Sequence, residues 1–341
     1  MHLQVKSFVF THSSPSASAF SSSSQVSSYS SPYSTCADAG PLKMTAKRYR
    51  AGNSSSNTEG ITLVLGHGVG SHKEAWEPLL RDIFARQQNS YPRVREAWAL
   101  DRQDHGDAAV LNGAEIQKSR PGGVSSDEWS EAIAAFISSP RMRDHQIVTI
   151  SHSAGAISMV NTAQFLNLRR SPYIGMILVE PTIVGAELDP YREGGIEMLT
   201  GAIRARRDKW PSAEALHEWM GARFPWSDWD PRVLKAHVDH GFKSSSETNQ
   251  ITLKCNKLHE ANAFLDKPAH FSAVDRIARL CRHMPLHVIW GTQDDIVPEA
   301  GKASISDHNK GRYVASVTRM EGESHMIVQE NPSQLAVEVC R

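Results

Sequence analysis

Gln146-Ile147-Val148-Thr149-Ile150-Ser151-His152-Ser153-Ala154-Gly155 runs from an apolar stretch into a cluster of small residues, and a helical pattern follows it. Small residues on both sides of a serine at a strand-to-helix junction let the backbone turn sharply, so the hydroxyl projects alone at the strand's carboxyl end. Ser153 is therefore the candidate nucleophile. The usual pattern is G-x-S-x-G, and Ser151 stands where its first glycine would be. Serine is small enough for the turn, but short Ser/Gly patterns also occur in ordinary turns, so the rest of the chain must support the motif.

Outward from this turn, short apolar runs recur at Ile61 to Leu65, Val94 to Leu100, Ile174 to Val179, Leu286 to Trp290 and Val314 to Val317. Runs of this length without polar alternation suit strands covered on both faces. Helical stretches lie between them: Ser125 with Glu128 offers a capping box for a helix through Ile137, and Ser153 to about Arg169 follows the serine turn. The alternation predicts an α/β fold, a mostly parallel sheet with helices on both faces and every strand's carboxyl end on one edge. His2 to Phe10 and Met44 to Tyr49 read as a first strand and its partner.

The predicted organisation is a first strand at 1–10, a serine-rich insertion at 11–40, a core at 41–181 and 283–341, and a helical cap at 182–282. The insertion is too poor in apolar residues to order itself. The cap interval contains Trp210, Trp219, Trp226 and Trp229 but no evident buried strand. Trp219 and Trp226 are candidates for substrate contact, with packing of the cap as the competing role for any one tryptophan.

A serine hydroxyl needs a base within hydrogen-bond reach, itself oriented by a carboxylate. Of the 16 histidines, His325 in Gly322-Glu323-Ser324-His325-Met326 lies just after the last expected strand, at the sheet's carboxyl edge. Asp294, four residues past Trp290, is the favoured acid over its neighbour Asp295, and Glu180, closing the Ile174 strand, is the alternative acid. Gly66-His67-Gly68-Val69-Gly70 follows the first core strand, and its glycines allow the Val69 N–H to turn toward the site. Val69 and Ala154 are thus the expected oxyanion donors, with His67 and Gly68 expected beside the substrate. That loop lacks the G-x-G-x-x-G and G-K-[ST] patterns of phosphate-binding turns. Asp101-Arg102-Gln103-Asp104-His105-Gly106-Asp107 is read as a turn held by its own hydrogen bonds rather than as a metal site.

The 37 basic and 37 acidic side chains cancel, which gives no electrostatic footprint for nucleic acid or an anionic membrane. Cys36, Cys255, Cys281 and Cys340 are scattered without C-x-x-C spacing, so neither a zinc site nor a disulfide framework is expected, and a reducing compartment fits best. No apolar stretch reaches the roughly 18 residues of a membrane span. The serine-dominated start carries one lysine, Lys6, and no arginine, closer to low complexity than to a transit peptide. A small-molecule acyl substrate is the expected partner, no cofactor or metal is expected, and the cytoplasm is the expected location.

Together these residues resemble the α/β-hydrolase superfamily in the order Ser153, Asp294, His325, with a His-Gly loop upstream and a cap inserted after Glu180. The stretches Gly66 to Trp76 and His105 to Asn112 resemble those of fungal capped hydrolases, a group that includes peroxisomal lipase-like proteins and hydrolases of toxin biosynthesis. The terminal Val339-Cys340-Arg341 is not the S-K-L type of peroxisomal address. The resemblance implies a cofactor-free hydrolase acting through an acyl-serine intermediate on an ester, thioester or lactone of an apolar molecule. A lyase, C–C hydrolase or cyclase of secondary metabolism using the same residues, or a binding protein without turnover, are the alternatives.

Overall fold

Short runs of β-branched and other apolar residues set the strands, and the computed structural model describes them within residues 3–12, 31–52, 59–87, 93–191, 193–245, 248–293 and 296–341. The first half of the chain supplies β1 (Leu3–His12), β2 (Leu42–Ala51), β3 (Ile61–Gly66), β4 (Val94–Leu100), β5 (Gln146–His152) and β6 (Tyr173–Val179). Between them lie α1 (Glu77–Arg86), α2 (Gly106–Ser119), α3 (Ser126–Ile137) and α4 (Ala154–Asn161). The chain then leaves the sheet through α5 (Glu193–Ala205), β7 (Lys209–Trp210), α6 (Ala213–Gly221), α7 (Pro231–Gly241), β8 (Phe242–Ser244), β9 (Ile251–Leu253) and α8 (Lys257–Ala263). It returns with α9 (Lys267–Leu280), β10 (Leu286–Gly291), α10 (Glu299–Ile305), β11 (Ser316–Met320), α11 (Ile327–Glu330) and α12 (Pro332–Val339).

Eight strands form one sheet in the order β1-β2-β4-β3-β5-β6-β10-β11. β1 and β2 are antiparallel, as are β2 and β4, while every pair from β4 to β11 is parallel. Side chains alternate across this sheet: Val64 and Trp98 enter one core with Trp129, Ile133, Ile157 and Ile277, whereas Leu63, Leu65, Ala97 and Ala99 enter the other with Leu80, Ile83 and Leu335. Thus α3, α4 and α9 cover one face, and α1 and α12 the other. The Ser125 hydroxyl accepts from Glu128 N at 3.1 Å while Glu128 Oε2 accepts from Ser125 N at 3.1 Å, completing the expected capping box.

Four expectations are corrected. The helix behind the serine turn stops at Asn161, not near Arg169, and passes into a short 3₁₀ turn at Thr162–Gln164, where the Thr162 hydroxyl caps back onto Met159 O. The last strand is Ser316–Met320 rather than Val314 to Val317, because an edge strand needs only one buried face and Ser316, Val317 and Arg319 face outward. The cap interval contains a three-stranded sheet, β7-β9-β8, whose two- and three-residue strands are too short to show alternation. Its final helix, α9, packs into the core through Ala273, Val274 and Ile277, since adjacent parallel strands β6 and β10 require a crossover helix on the sheet. Of the serine-rich insertion, residues 13–30 lie outside the described residues; Cys36 N donates to Ser119 O, and Tyr33 receives a hydrogen bond from Arg102, so its final part docks against α2 and the loop before it.

Ser125→Ala removes one half of the capping box and is expected to lower stability by about 1 kcal/mol. A urea melt checks it: the midpoint should fall with an unchanged slope, and an unmoved midpoint would show that α3 is held by its packing alone.

Candidate active site

Serine at position 153 adopts φ 54° and ψ −126°, a conformation that side chains rarely occupy, and it places the residue between the end of β5 and the start of α4. Neighbouring strands hold it there, with Ser153 N donating to Val179 O at 3.1 Å. The motif's glycine is obligatory: a Cβ at Gly155 would lie 2.5 Å from His67 O and 2.6 Å from Gly66 O. Ser151 does fit the first position, fully buried, with its hydroxyl making no hydrogen bond.

His325 reaches this serine from the loop between β11 and α11. Its Nε2 lies 2.9 Å from Ser153 Oγ, and its Nδ1 lies 3.1 Å from Glu180 Oε2. Glu180 is fully buried and also strained, at φ 46°. Its backbone N–H donates to Ile289 O at 2.9 Å, and its second carboxylate oxygen accepts from Gly291 N at 2.6 Å. A carboxylate so fastened to two strand ends has one oxygen left for the imidazole. Glu180, the alternative acid of the sequence, is therefore the carboxylate that the described residues bring to His325; Asp294 and Asp295 lie outside the described residues.

His152, which sequence reasoning passed over, ties the two halves of the site. Its Nε2 donates to the carbonyl oxygen of His325 at 2.9 Å, and its ring lies 5.1 Å from that of His325. Burial, with the neighbouring His325 ring second, pushes its pKa down to about 3. The signal was its place beside the serine, where a large side chain can only turn inward.

The His67 loop is braced from below. His67 Nδ1 donates to Gly68 O at 2.8 Å and its Nε2 accepts from Arg102 N at 3.2 Å, so both nitrogens are committed and burial holds the ring neutral, well below the usual range. His67, expected beside the substrate, instead supports the loop from the core and does not line the cavity described below. Gly68 does lie at the site: a Cβ there would come within 3.1 Å of Ser153 Cβ. Gly70 N donates to His105 Nε2 at 3.2 Å, while His105 Nδ1 donates to Asp104 Oδ1 at 2.7 Å. Asp101 accepts from Thr45 Oγ1, Lys73 N and Lys73 Nζ at 2.6, 2.8 and 2.7 Å. The segment from Asp101 to Asp107 is structural, as expected, but its bonds reach well beyond its own turn.

Above this floor lies a cavity of about 510 Å³. Val69 and Met326, adjacent to Gly68 and His325, line it from the core, and Trp219, Trp226 and Phe224 line it from the excursion. Both tryptophans expected at the substrate are therefore on its wall. Within the excursion a bidentate pair, Arg206 to Glu260 at 2.9 and 2.7 Å, ties the end of α5 to α8, and Glu260 packs against the loop so closely that a Cβ at Gly70 would sit 2.8 Å from its Oε1. Among the described residues no group of three or more His, Cys, Asp or Glu is placed to hold a metal ion, and no helix is long and apolar enough to cross a membrane.

The chain belongs to the alpha/beta hydrolase family, whose model matches residues 63–339. A type I acyl-CoA thioesterase, mpaH of Penicillium roqueforti (strain FM164), is 26% identical over 219 residues, 62% of this chain and 47% of that protein. The chain thus spans about half the length of that curated relative. Among solved structures, the peroxisomal alpha/beta-hydrolase Lpx1 from Saccharomyces cerevisiae is 17% identical with a TM-score of 0.76, covering 99% of this chain and 87% of that one. The thioesterase domain from the curacin biosynthetic pathway is 12% identical with a TM-score of 0.62, covering 88% of this chain and 96% of that one. These structural likenesses establish the fold.

Buried neutral histidines make stability depend on pH. Burial is the first cause of the lowered pKa at His67, His152 and His237, so the unfolded chain takes up protons below about pH 6.5 that the folded rings refuse. Their contribution is intact above that pH and falls as the solution is acidified. Asp104 and Glu74, held below the usual carboxylate range against burial by Arg102 and His72 respectively, add a further loss only below about pH 4. Melting temperatures between pH 7.5 and 4.5 should decline over that range, less steeply in His152→Gln than in the wild type; parallel curves would remove His152 from the account.

Proposed function

We propose that the protein is a serine hydrolase that cleaves a thioester or ester of an apolar acyl group, with Ser153 as nucleophile, His325 as base and Glu180 as the orienting acid. The observation that carries this reading is the hydrogen-bonded line Ser153 Oγ, His325 Nε2, His325 Nδ1, Glu180 Oε2, with steps of 2.9 and 3.1 Å; an apolar cavity lined by Met326, the residue after His325, and by Val69 supports an apolar acyl group. The thioesterase relative supports a thioester as the scissile bond.

The chemistry follows from the geometry. As Ser153 Oγ attacks the carbonyl carbon, its proton passes to His325 Nε2, and the Glu180 carboxylate stabilises the imidazolium through Nδ1–H. The N–H of Ala154 stands in the first turn of α4, where helix amides lack partners within the helix. It serves with the N–H of Val69, on the loop braced by His67 and His105, as donor to the oxyanion, each worth about 2.7–4 kcal/mol of barrier. Collapse expels the thiolate or alkoxide, which takes the proton from His325. Water then gives its proton to the same nitrogen as it attacks the acyl-serine, and collapse releases the acid while His325 returns that proton to Ser153 Oγ.

Ser153→Ala should abolish labelling by a fluorophosphonate and lower kcat on acyl thioesters by about 10⁶-fold. Glu180→Gln should cost about 10⁴-fold in kcat, and Asp294→Asn far less. The reverse order for the two carboxylates would return the acid to Asp294, and a folded wild type that neither labels nor turns over any thioester or ester would overturn the hydrolase reading.

A further inference from the structure

The Gly68–Gly70 loop, which carries the proposed Val69 donor, is held by two histidines, and both histidines are held by Arg102. The Arg102 N–H donates to His67 Nε2 at 3.2 Å, and its carbonyl oxygen accepts from His105 N at 2.9 Å. His105 Nε2 in turn accepts from Gly70 N at 3.2 Å, while its Nδ1 donates to Asp104 Oδ1 at 2.7 Å. Arg102, Asp104, His67 and His105 are all buried. A movement of Arg102 is therefore felt at Gly68 through His67 and at Gly70 through His105.

What fixes Arg102 is its guanidinium, a buried charge that must keep its partners. Its Nε lies 3.3 Å from Asp104 Oδ1, and its Nη2 donates to Val124 O and, at 2.9 Å, to the hydroxyl oxygen of Tyr33. Tyr33 lies between β1 and β2, ahead of residues 63–339 that match the family model. Its segment is tied down along its length. Cys36 N donates to Ser119 O at 3.0 Å, Gly40 N donates to Glu115 Oε1 at 2.6 Å, and a Cβ at Gly122 would collide with Pro32 O. The tyrosine ring also meets the guanidinium, with its centroid 5.9 Å from Arg102 Cζ.

We infer that Tyr33 is a positioning residue: its hydroxyl, supplied by the connection between β1 and β2, fixes Arg102 and through it the His67 and His105 braces that aim the Val69 N–H. The inference rests on the hydrolase reading for the role of Val69, and on the hydrogen bonds alone for the hold on the loop.

Tyr33→Phe tests it in the full chain, because phenylalanine keeps the ring beside the guanidinium and removes only the hydroxyl. Turnover of an acyl thioester, counted per site labelled by fluorophosphonate, should fall about tenfold in kcat with KM held within about twofold. A misaimed donor weakens the transition state and not the bound substrate. A trifluoromethyl ketone, whose adduct with Ser153 presents an oxyanion, should lose affinity in the same proportion. Hydrogen exchange read by mass spectrometry needs no turnover: peptides covering residues 66–72 should exchange faster in Tyr33→Phe, and those of β5 should not change. Unchanged exchange at 66–72, or equal acceleration in β5, would overturn the hold on the loop. An unchanged kcat per labelled site would overturn its use in catalysis. If the wild type neither labels nor turns over, the hydrolase reading falls, and the exchange result alone decides whether Tyr33 positions the loop.

Discussion

The register of adjacent parallel strands at their carboxyl ends is the constraint on which the site depends. Ser153 N bonds to Val179 O, Glu180 N to Ile289 O, and Gly291 N to the Glu180 side chain, so the ladder of the sheet continues past the last strand residues and becomes the frame of the site. Two residues in this frame, Ser153 and Glu180, occupy positive φ, which costs on the order of 1–3 kcal/mol each. Such strain persists only where surrounding bonds leave no alternative, and here each strained residue is fixed on its backbone by the neighbouring strand. The sheet therefore supplies both the positions and the force that holds them.

Histidines show how environment divides one side chain into different roles. His67 and His105 have both ring nitrogens engaged, and each bridges a donor and an acceptor beneath the Gly68–Gly70 loop. His152 has one nitrogen engaged, on the backbone of the loop that carries His325. His325 alone among these lies between a hydroxyl and a carboxylate, an arrangement that suits the ring in both its neutral and its protonated form. The ring proposed as base is thus the one whose partners tolerate a change of charge.

Much of the core was legible because it rests on local pattern. The apolar runs at Ile61, Val94, Gln146 and Tyr173, the capping box at Ser125, the serine turn and His325 all announce themselves within a few residues. The carboxylate partner of His325 did not, because Glu180 and Asp294 both follow strand ends in the sequence; the described residues bring Glu180 to the imidazole, and Asp294 lies outside them. The inward roles of His67 and His152 were hidden for the same reason: each has one ring nitrogen whose partner, Arg102 for His67 and His325 for His152, lies far away in sequence. Strands of two or three residues, as at Lys209–Trp210, have no period to read.

Glu180 is also the residue from which the excursion departs. Because its carboxylate is fastened to Gly291 and its backbone to Ile289, the chain beyond Pro181 hangs from a fixed root, and α9 carries it back onto the sheet. The segment between that root and α9 is in this sense a separate part. Its aromatic lining comes from residues other than the Ser153, His325 and Glu180 line, so under the proposed reading selectivity and reactivity are carried by separate stretches of one chain.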